Sequence, residues 1–322
     1  MVFIGIDLGG TKIAAGVTDM QGNILAEATA ATDANRPYQE VVRDMAACTL
    51  QALENAGSSI DEVAAIGIGI PGIAENVNGR VIFCPNLSWH DVPLRDELGK
   101  YLDKPIFIDN DATVAALAEN IAGVSRGTES SVFLTLGTGL GGGIILHGVP
   151  WTGAHGVGSE LGHLTLVADG ILCTCGKRGC TERYCSATAL IRMAREAGQL
   201  HPDSLLMQKA GGRPEGINGK HAIDCAKQGD PVALSVFHEY TRFLAQAINN
   251  VVSFLDPEII VLGGGISLAG NFLLQAIKEK LPDYLLYRTV PYARLELAVL
   301  GNNAGIIGAA MLSRVLQKGE TL

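Results

Sequence analysis

Between Ser159 and Cys185 the chain places Cys173, Cys175 and Cys180 within eight residues, with His163 ten positions before the first of them. Three thiolates and one imidazole are a ligand set that zinc takes at closed, tetrahedral structural sites. Gly176 and Gly179 allow the tight turn that returns Cys180 to the other two cysteines. Three buried, reduced cysteines are the plainer alternative, and the glycines and charges interleaved among them speak against it. Glu160 shares the short segment of His163, and Glu182 stands two residues past Cys180. A closed metal site does no chemistry of its own, but it would fix the orientation of Glu160, His163 and Glu182 around a binding pocket. Ordinary surface acids could show the same spacing, and both readings of the two glutamates stand.

A second candidate group follows the apolar run Pro105–Ile108, where Asp109-Asn110-Asp111 leads into the helical A-T-V-A-A-L-A-E-N. Asp and Asn in that place are ordinarily helix caps. Three in succession exceed what capping needs, and a carboxylate at that strand edge could accept a proton from a substrate hydroxyl. Asp111 is the candidate base and Asn110 the candidate substrate holder.

The remaining chemistry lies in glycine turns. An apolar run at 3–8, containing Asp7, is followed by Gly9-Gly10-Thr11-Lys12, an extended 13–18, the turn Gln21-Gly22-Asn23 and a third strand. This predicts a β-meander with glycine at its first corner. G-G-T-K lacks the four-residue loop and the following helix of a P-loop. What fits is a hairpin whose turn amides point at phosphate, with Thr11 and Lys12 adding donors. Residues 132–146 repeat the arrangement as V-F-L-T-L-G-T-G-L-G-G-G-I-I-L. The repetition reads as an old duplication that leaves two facing hairpins able to grip a polyphosphate.

These groups need elements to hold them. A helix is predicted over Tyr38–Ala56, with Val41, Val42, Met45 and Leu53 on one stripe and Gly57 closing it. A strand at 63–70 ends in Pro71-Gly72, at the edge where open α/β sheets collect ligands. Pro85–Trp89 reads as an irregular polar segment, followed by a short helix from about Leu94. Ala187–Gly198 is a predicted helix, and 199–222 reads as exposed loop with solvated His201 and His221. Asp230 and Pro231 take the cap and first positions of a long helix with a buried stripe from Val232 to Leu255. A strand over Glu258–Leu262 opens into Gly263-Gly264-Gly265 and a helix from about Ser267. Those glycines serve either nucleotide approach or packing. The Ala/Gly/Ile-rich helix Asn302–Gln317 is expected to pack closely, back onto the N-terminal half.

At 322 residues the chain accommodates two cores. Its net charge of −9 disfavours a nucleic-acid surface, so any phosphate must be met by local donors. No basic leader and no run near the ~20 apolar residues of a membrane span is read at the start or elsewhere. Seven cysteines without disulfide-framework spacing indicate a reducing cytoplasm, with Cys48, Cys84, Cys185 and Cys225 as buried thiols.

Taken together these residues resemble the ROK family of sugar kinases and repressors, within the actin-like ATPase superfamily. The resemblance spans essentially the whole chain. It rests on D-L-G-G-T-K (7–12), G-I-G-I-P-G (67–72), D-N-D-A (109–112), L-G-T-G-L-G-G-G (136–143), E-L-G-H (160–163), C-T-C-G-K-R-G-C-T-E (173–182) and L-G-G-G (262–265). The fold it implies is a two-domain α/β, actin-like (ribonuclease H-like) body with a cleft between the domains. One domain would comprise 1–118 plus 303–322, and the other 119–302 with the zinc site.

By resemblance, Asp111 is the general base, while Gly72, Asn86, Asn110, Asp111, Glu160, His163 and Glu182 bind sugar. Asp7, Gly9, Gly10, Thr11, Lys12, Gly137, Thr138, Gly139, Gly264 and Gly265 serve ATP. His163, Cys173, Cys175 and Cys180 hold zinc, and Mg²⁺ accompanies the phosphates, with Asp7 holding it through water. The implied reaction is phosphoryl transfer from ATP to the 6-hydroxyl of a hexose, glucose leading. Allose, N-acetylmannosamine, N-acetylglucosamine and fructose are alternatives within the family. Trp151–Gly156 and Phe254–Pro257 also look like allose kinases. A sugar-responsive repressor is the rival of another class. It is disfavoured because the first hairpin begins at residue 3, ahead of which no helix-turn-helix is expected. A third reading is a zinc-stabilised sugar binder without catalysis, and the family suggests dimers or tetramers.

Overall fold

Short apolar runs bounded by glycine or proline become strands in this chain, and longer runs of 3.6 periodicity become helices. The computed structural model describes residues 1–319. In it β1 (Val2–Leu8), β2 (Lys12–Thr18) and β3 (Ile24–Ala31) form the expected meander, with Phe3 opposite Thr18 and Leu8 opposite Ile13. Helix α1 (Tyr38–Ala56) ends at left-handed Gly57, and β4 (Val63–Ile70) returns parallel to β1. Next come β5 (Ile73–Glu75), β6 (Arg80–Cys84) and β7 (Trp89–Val92), which form a small antiparallel sheet of their own. The segment around Trp89, read from sequence as irregular, therefore begins a strand after a tight turn at Pro85–Leu87. Helix α2 (Leu94–Gly99), β8 (Ile106–Asn110) and α3 (Asp111–Ala122) follow, and the first large sheet has the order β3-β2-β1-β4-β8.

The chain continues through β9 (Ser130–Leu136), β10 (Leu140–Leu146) and β11 (Val149–Pro150). Then come α4 (Glu182–Cys185), α5 (Ala187–Leu200), α6 (Leu205–Lys209), α7 (Gly219–Lys227) and α8 (Pro231–Leu255). Strand β12 (Ile259–Gly263), α9 (Asn271–Lys280), β13 (Arg294–Leu297) and α10 (Asn303–Gly319) complete it. The second large sheet has the order β11-β10-β9-β12-β13.

Two compact units result. The first comprises Met1–Phe133, Gly143–Ser159 and the segment from Ala298, and the second Leu134–Gly142 and Glu160–Leu297. The boundary drawn from sequence after residue 118 falls inside α3, and a continuous helix is not divided there. Within the first unit α10 lies directly on the sheet. A Cβ at Gly67 would stand 1.7 Å from the Ala309 carbonyl oxygen, and one at Gly5 1.9 Å from that of Ile306. Glycine is thus required for this backbone-on-backbone approach, and the close packing of the last helix is as its small residues suggest.

In the second unit, 199–222 is more ordered than an exposed loop. Ser204 and Asn218 cap α6 and α7, and Leu206, Met207 and Ile217 are buried. The glycines between these short helices hide their periodicity. Helix α9 starts at Asn271, not near Ser267, because Gly270 takes φ 70° and breaks it from the 3₁₀ turn at Gly265–Ala269. The cap of α8 is as read, with Asp230 accepting the Ala233 amide at 2.9 Å. Among the described residues no helix is long and apolar enough to cross a membrane.

Candidate functional site

The cysteine loop folds on itself through short bridges, Thr165 opposite Cys180 and Leu172 opposite Arg178. The Cys173 amide donates to the Lys177 carbonyl at 2.8 Å, and Gly176 turns the chain at φ 86°. Lys177 Nζ donates to the His163 carbonyl at 2.8 Å, tying the loop to the segment that carries the imidazole. As a result Cys173 Sγ lies 3.8 Å from His163 Nδ1, and Cys175 Sγ lies 3.5 Å from Cys180 Sγ. All four ligand atoms fall within 4.8 Å of one another. Around tetrahedral zinc, with bonds of about 2.0–2.3 Å, neighbouring ligand atoms sit ~3.5–3.8 Å apart, so the donor set fits such an ion. A disulfide would bring sulfurs to about 2.05 Å, and all seven cysteines are free thiols.

His163 presents Nδ1 to Cys173 Sγ, which leaves Nε2 on the far edge of the ring. Glu160 begins the 3₁₀ turn that holds His163, whose amide donates to the Glu160 carbonyl at 3.1 Å. Glu182 Oε1 is 3.0 Å from Cys173 Sγ and 3.9 Å from His163 Nδ1. Burial, then this hydrogen bond to Glu182, pushes the Cys173 thiol up. Glu160, His163 and Glu182 are all half-buried, so each keeps surface for a ligand.

The same unit carries the second glycine corner, where the Gly137 amide donates to the Gly139 carbonyl at 3.1 Å and Thr138 is exposed. Two contacts at this corner have no mark in the sequence. The Ala187 amide donates to the Gly137 carbonyl at 2.8 Å, and Thr188 Oγ1 donates to the Thr138 carbonyl at 2.7 Å. Gly264 follows β12 with φ 80°, and Ser267 Oγ donates to its carbonyl at 2.7 Å; Gly264 and Gly265 are exposed.

In the first unit, parallel pairing aligns Asp7 with Gly69 and Gly69 with Asp109, at the C-terminal ends of β1, β4 and β8. Asp109 is buried and accepts the Asn110 amide at 2.7 Å, and burial pushes its carboxyl up to about 7. Asn110 caps α3, accepting the Ala112 and Thr113 amides at 2.8 and 3.3 Å. Its Nδ2 donates to the Gly72 carbonyl at 2.9 Å, so the capping role and the turn at Gly72 share one side chain. Asp111, the first residue of α3, keeps solvent-facing surface yet is mostly surrounded by protein. That recessed setting raises its carboxyl, against the opposing hydrogen bond from the Ala112 amide.

Asp7 packs so closely on α10 that a Cβ at Gly305 would lie 2.6 Å from its carboxylate. Its carboxyl is pushed up to about 6 by burial first and by the charge of Asp111 second, with Lys12 opposing. The first corner closes with Gly9 donating to the Lys12 carbonyl at 2.9 Å, and leaves Thr11 and Lys12 exposed. Asn86 lies against Gly10. Glu119 carries no distinguishing pattern in the sequence, yet is fully buried on α3. Its Oε1 accepts the Val299 and Leu300 amides at 2.9 and 3.0 Å, and its Oε2 the Val124 amide at 2.9 Å.

The model of the ROK family matches residues 3–315. A glucokinase of Thermotoga maritima is 40% identical over 310 residues, covering 96% of each chain. A ROK family glucokinase from Streptomyces griseus, solved in complex with glucose and AMPPNP, superposes with a TM-score of 0.84 at 38% identity. That match covers 98% of this chain and 99% of the other. A xylose repressor of Caldicellulosiruptor bescii is 27% identical, over 98% of this chain and 79% of its own length.

Proposed function

We propose that this chain, which belongs to the ROK family and has the two-domain actin-like ATPase fold, is an ATP-dependent hexose kinase. It transfers the γ-phosphoryl group of ATP to the 6-hydroxyl of a hexose, with glucose the first substrate to expect. The observation that carries the reading is Asp111: a carboxylate of raised pKa just past the C-terminal end of β8, close enough to Asp7 for its charge to raise that carboxyl too. The identity to glucokinases supports it and exceeds that to the repressor.

Phosphoryl transfer asks little covalent chemistry of the protein; positioning, charge neutralisation and a base suffice. Asp111 takes the proton of the attacking hydroxyl, and its raised pKa brings it closer to the operating pH of a base. Within the first unit Asn110, with Asn86 and the Gly72 turn, is the candidate group for sugar hydroxyls. Within the second, Glu160, Glu182 and the Nε2 edge of His163 are the candidate acceptors and donor. Thr11, Lys12 and the amides of Gly9 and Gly10 meet phosphate oxygens, as do Gly137, Thr138 and Gly139. Gly264 and Gly265 leave room for the nucleoside. Mg²⁺, when bound, would neutralise phosphate charge, and Asp7 would be the residue to hold it. Zinc held by His163, Cys173, Cys175 and Cys180 would supply rigidity, not chemistry.

The test is ADP release measured with glucose, allose, N-acetylmannosamine, N-acetylglucosamine and fructose. Sugar-dependent ADP release, fastest with glucose, is expected. Absence of sugar-dependent release across the panel would overturn the kinase reading, and a faster non-glucose hexose would overturn only the choice of sugar.

A further inference from the structure

Three consecutive residues of the second glycine corner are each met by one short stretch of chain, Glu182–Thr188. The Ala187 amide holds the Gly137 carbonyl at 2.8 Å, and Thr188 Oγ1 holds the Thr138 carbonyl at 2.7 Å. Glu182 Oε2 lies so near Gly139 that a Cβ there would stand 2.8 Å from it. Left to itself a Gly-Thr-Gly turn has wide backbone freedom, because glycine populates both signs of φ. The outer contacts therefore select the one conformation in which the corner is seen.

The three contacts differ in origin. Ala187 offers a first-turn amide that any helix start leaves unpaired, so its contribution does not depend on its side chain. Ser186 is occupied as the cap of α5, accepting the Ala189 amide at 3.1 Å. Thr188 stands one position past Ala187 in the first turn, and its hydroxyl is not needed for capping. Its bond reaches fifty positions back along the chain.

We propose that Thr188 is a positioning residue for the nucleotide: its hydroxyl fixes the Thr138 carbonyl, and thereby aims the donors of Thr138 and Gly139 at the terminal phosphates of a nucleoside triphosphate. The inference rests on the proposed function, which gives this corner to ATP. A single, solvent-reachable hydrogen bond supports an effect of about two- to tenfold on nucleotide affinity, with no direct effect on sugar.

The test uses the full-length chain with Thr188→Val, which keeps the shape and removes the hydroxyl, and Thr188→Ser, which keeps the hydroxyl. Binding of AMPPNP by calorimetry, KM for ATP, KM for the hexose and Tm are measured for each. Expected for Thr188→Val is a two- to tenfold weaker AMPPNP affinity and a matching rise in KM for ATP, with hexose KM and Tm unchanged. Thr188→Ser should restore both nucleotide values. Wild-type affinity in Thr188→Val overturns the proposal, as does a loss shared equally by hexose KM and Tm, or a failure of serine to rescue. Wild-type protein that neither binds AMPPNP nor turns over ATP would instead overturn the kinase reading itself.

Discussion

The glycine corner at Gly9–Lys12 is braced by its own meander. Thr32, just past β3, donates its hydroxyl to the Gly9 carbonyl at 2.7 Å and its amide to the Thr11 carbonyl at 3.1 Å. The corner at Gly137–Gly139 is braced instead by Ala187 and Thr188, which follow directly on the cysteine loop and α4. The first corner thus inherits its shape from strand register, and the second from a loop whose own shape a metal ion would set. Each region also keeps different acids: Asp7 and Asp111 with the first corner, Glu182 with the second. On the proposed function one would serve proton transfer and charge, the other the holding of ligands.

The largest effect should come from the reactive side of that contrast. Asp111→Ala is expected to lower kcat by about 10²–10⁴-fold while hexose KM moves only a few-fold. Steady-state kinetics check this, and retention of more than about a tenth of wild-type kcat would break the distinction. On the other side, metal analysis should find about one zinc per chain, and Cys175→Ser should lose it. Hexose and ATP affinities should then fall together by about 10–100-fold, because the acids and the second corner both lean on the loop. Zinc loss with both affinities intact, measured by calorimetry, would show the loop and the corner to be independent.

Lys12→Ala should raise KM for ATP by roughly tenfold, the scale of one charge-assisted hydrogen bond, and leave hexose KM alone. An equal rise in hexose KM would blur the contrast. The pH dependence sharpens it further. As the proposed base Asp111 would work ionised, and its carboxyl is raised, so kcat should fall on acidification at a pH above the ordinary aspartate value of ~4. A profile flat down to pH ~4 would contradict the recessed setting of Asp111.

Least effect on turnover is expected from Asp109→Asn, buried near the end of β8. Asp109 rises from 3.8 unfolded to about 7 folded, so between those values the folded chain holds a proton that the unfolded chain releases. Its contribution to stability therefore declines as pH rises through that window, by at most ~1.4 kcal/mol per pH unit, and the asparagine variant should show a shallower slope in denaturant titrations, the raised Asp7 and Asp111 keeping theirs.

What was legible in the sequence follows the same division. The meander, its corner and the Asp230–Pro231 helix start rest on neighbours in sequence, and the structure has them where they were read. The cysteine cluster was legible because its three thiols and one imidazole need only one loop and one nearby segment. The bracing by Thr188 and the clasp of Glu119 on Val299 and Leu300 depend on partners far along the chain, and a polar residue near a helix end announces neither. Helices α6 and α7 escaped because each is too short to show a period among glycines. The break at Gly270 is a backbone choice that glycine permits but does not dictate.

The seating of α10 against Gly5 and Gly67 has a consequence for biosynthesis. The first unit takes in residues up to Phe133 and is finished only by a segment from Ala298 onward. At about 5–20 residues per second its sheet waits on the order of 10–40 s for the helix that covers it. All of Glu160–Leu297 emerges meanwhile, so the second unit has its full chain first, and the sheet face at Gly5, Gly16 and Gly67 stays uncovered until α10 is made.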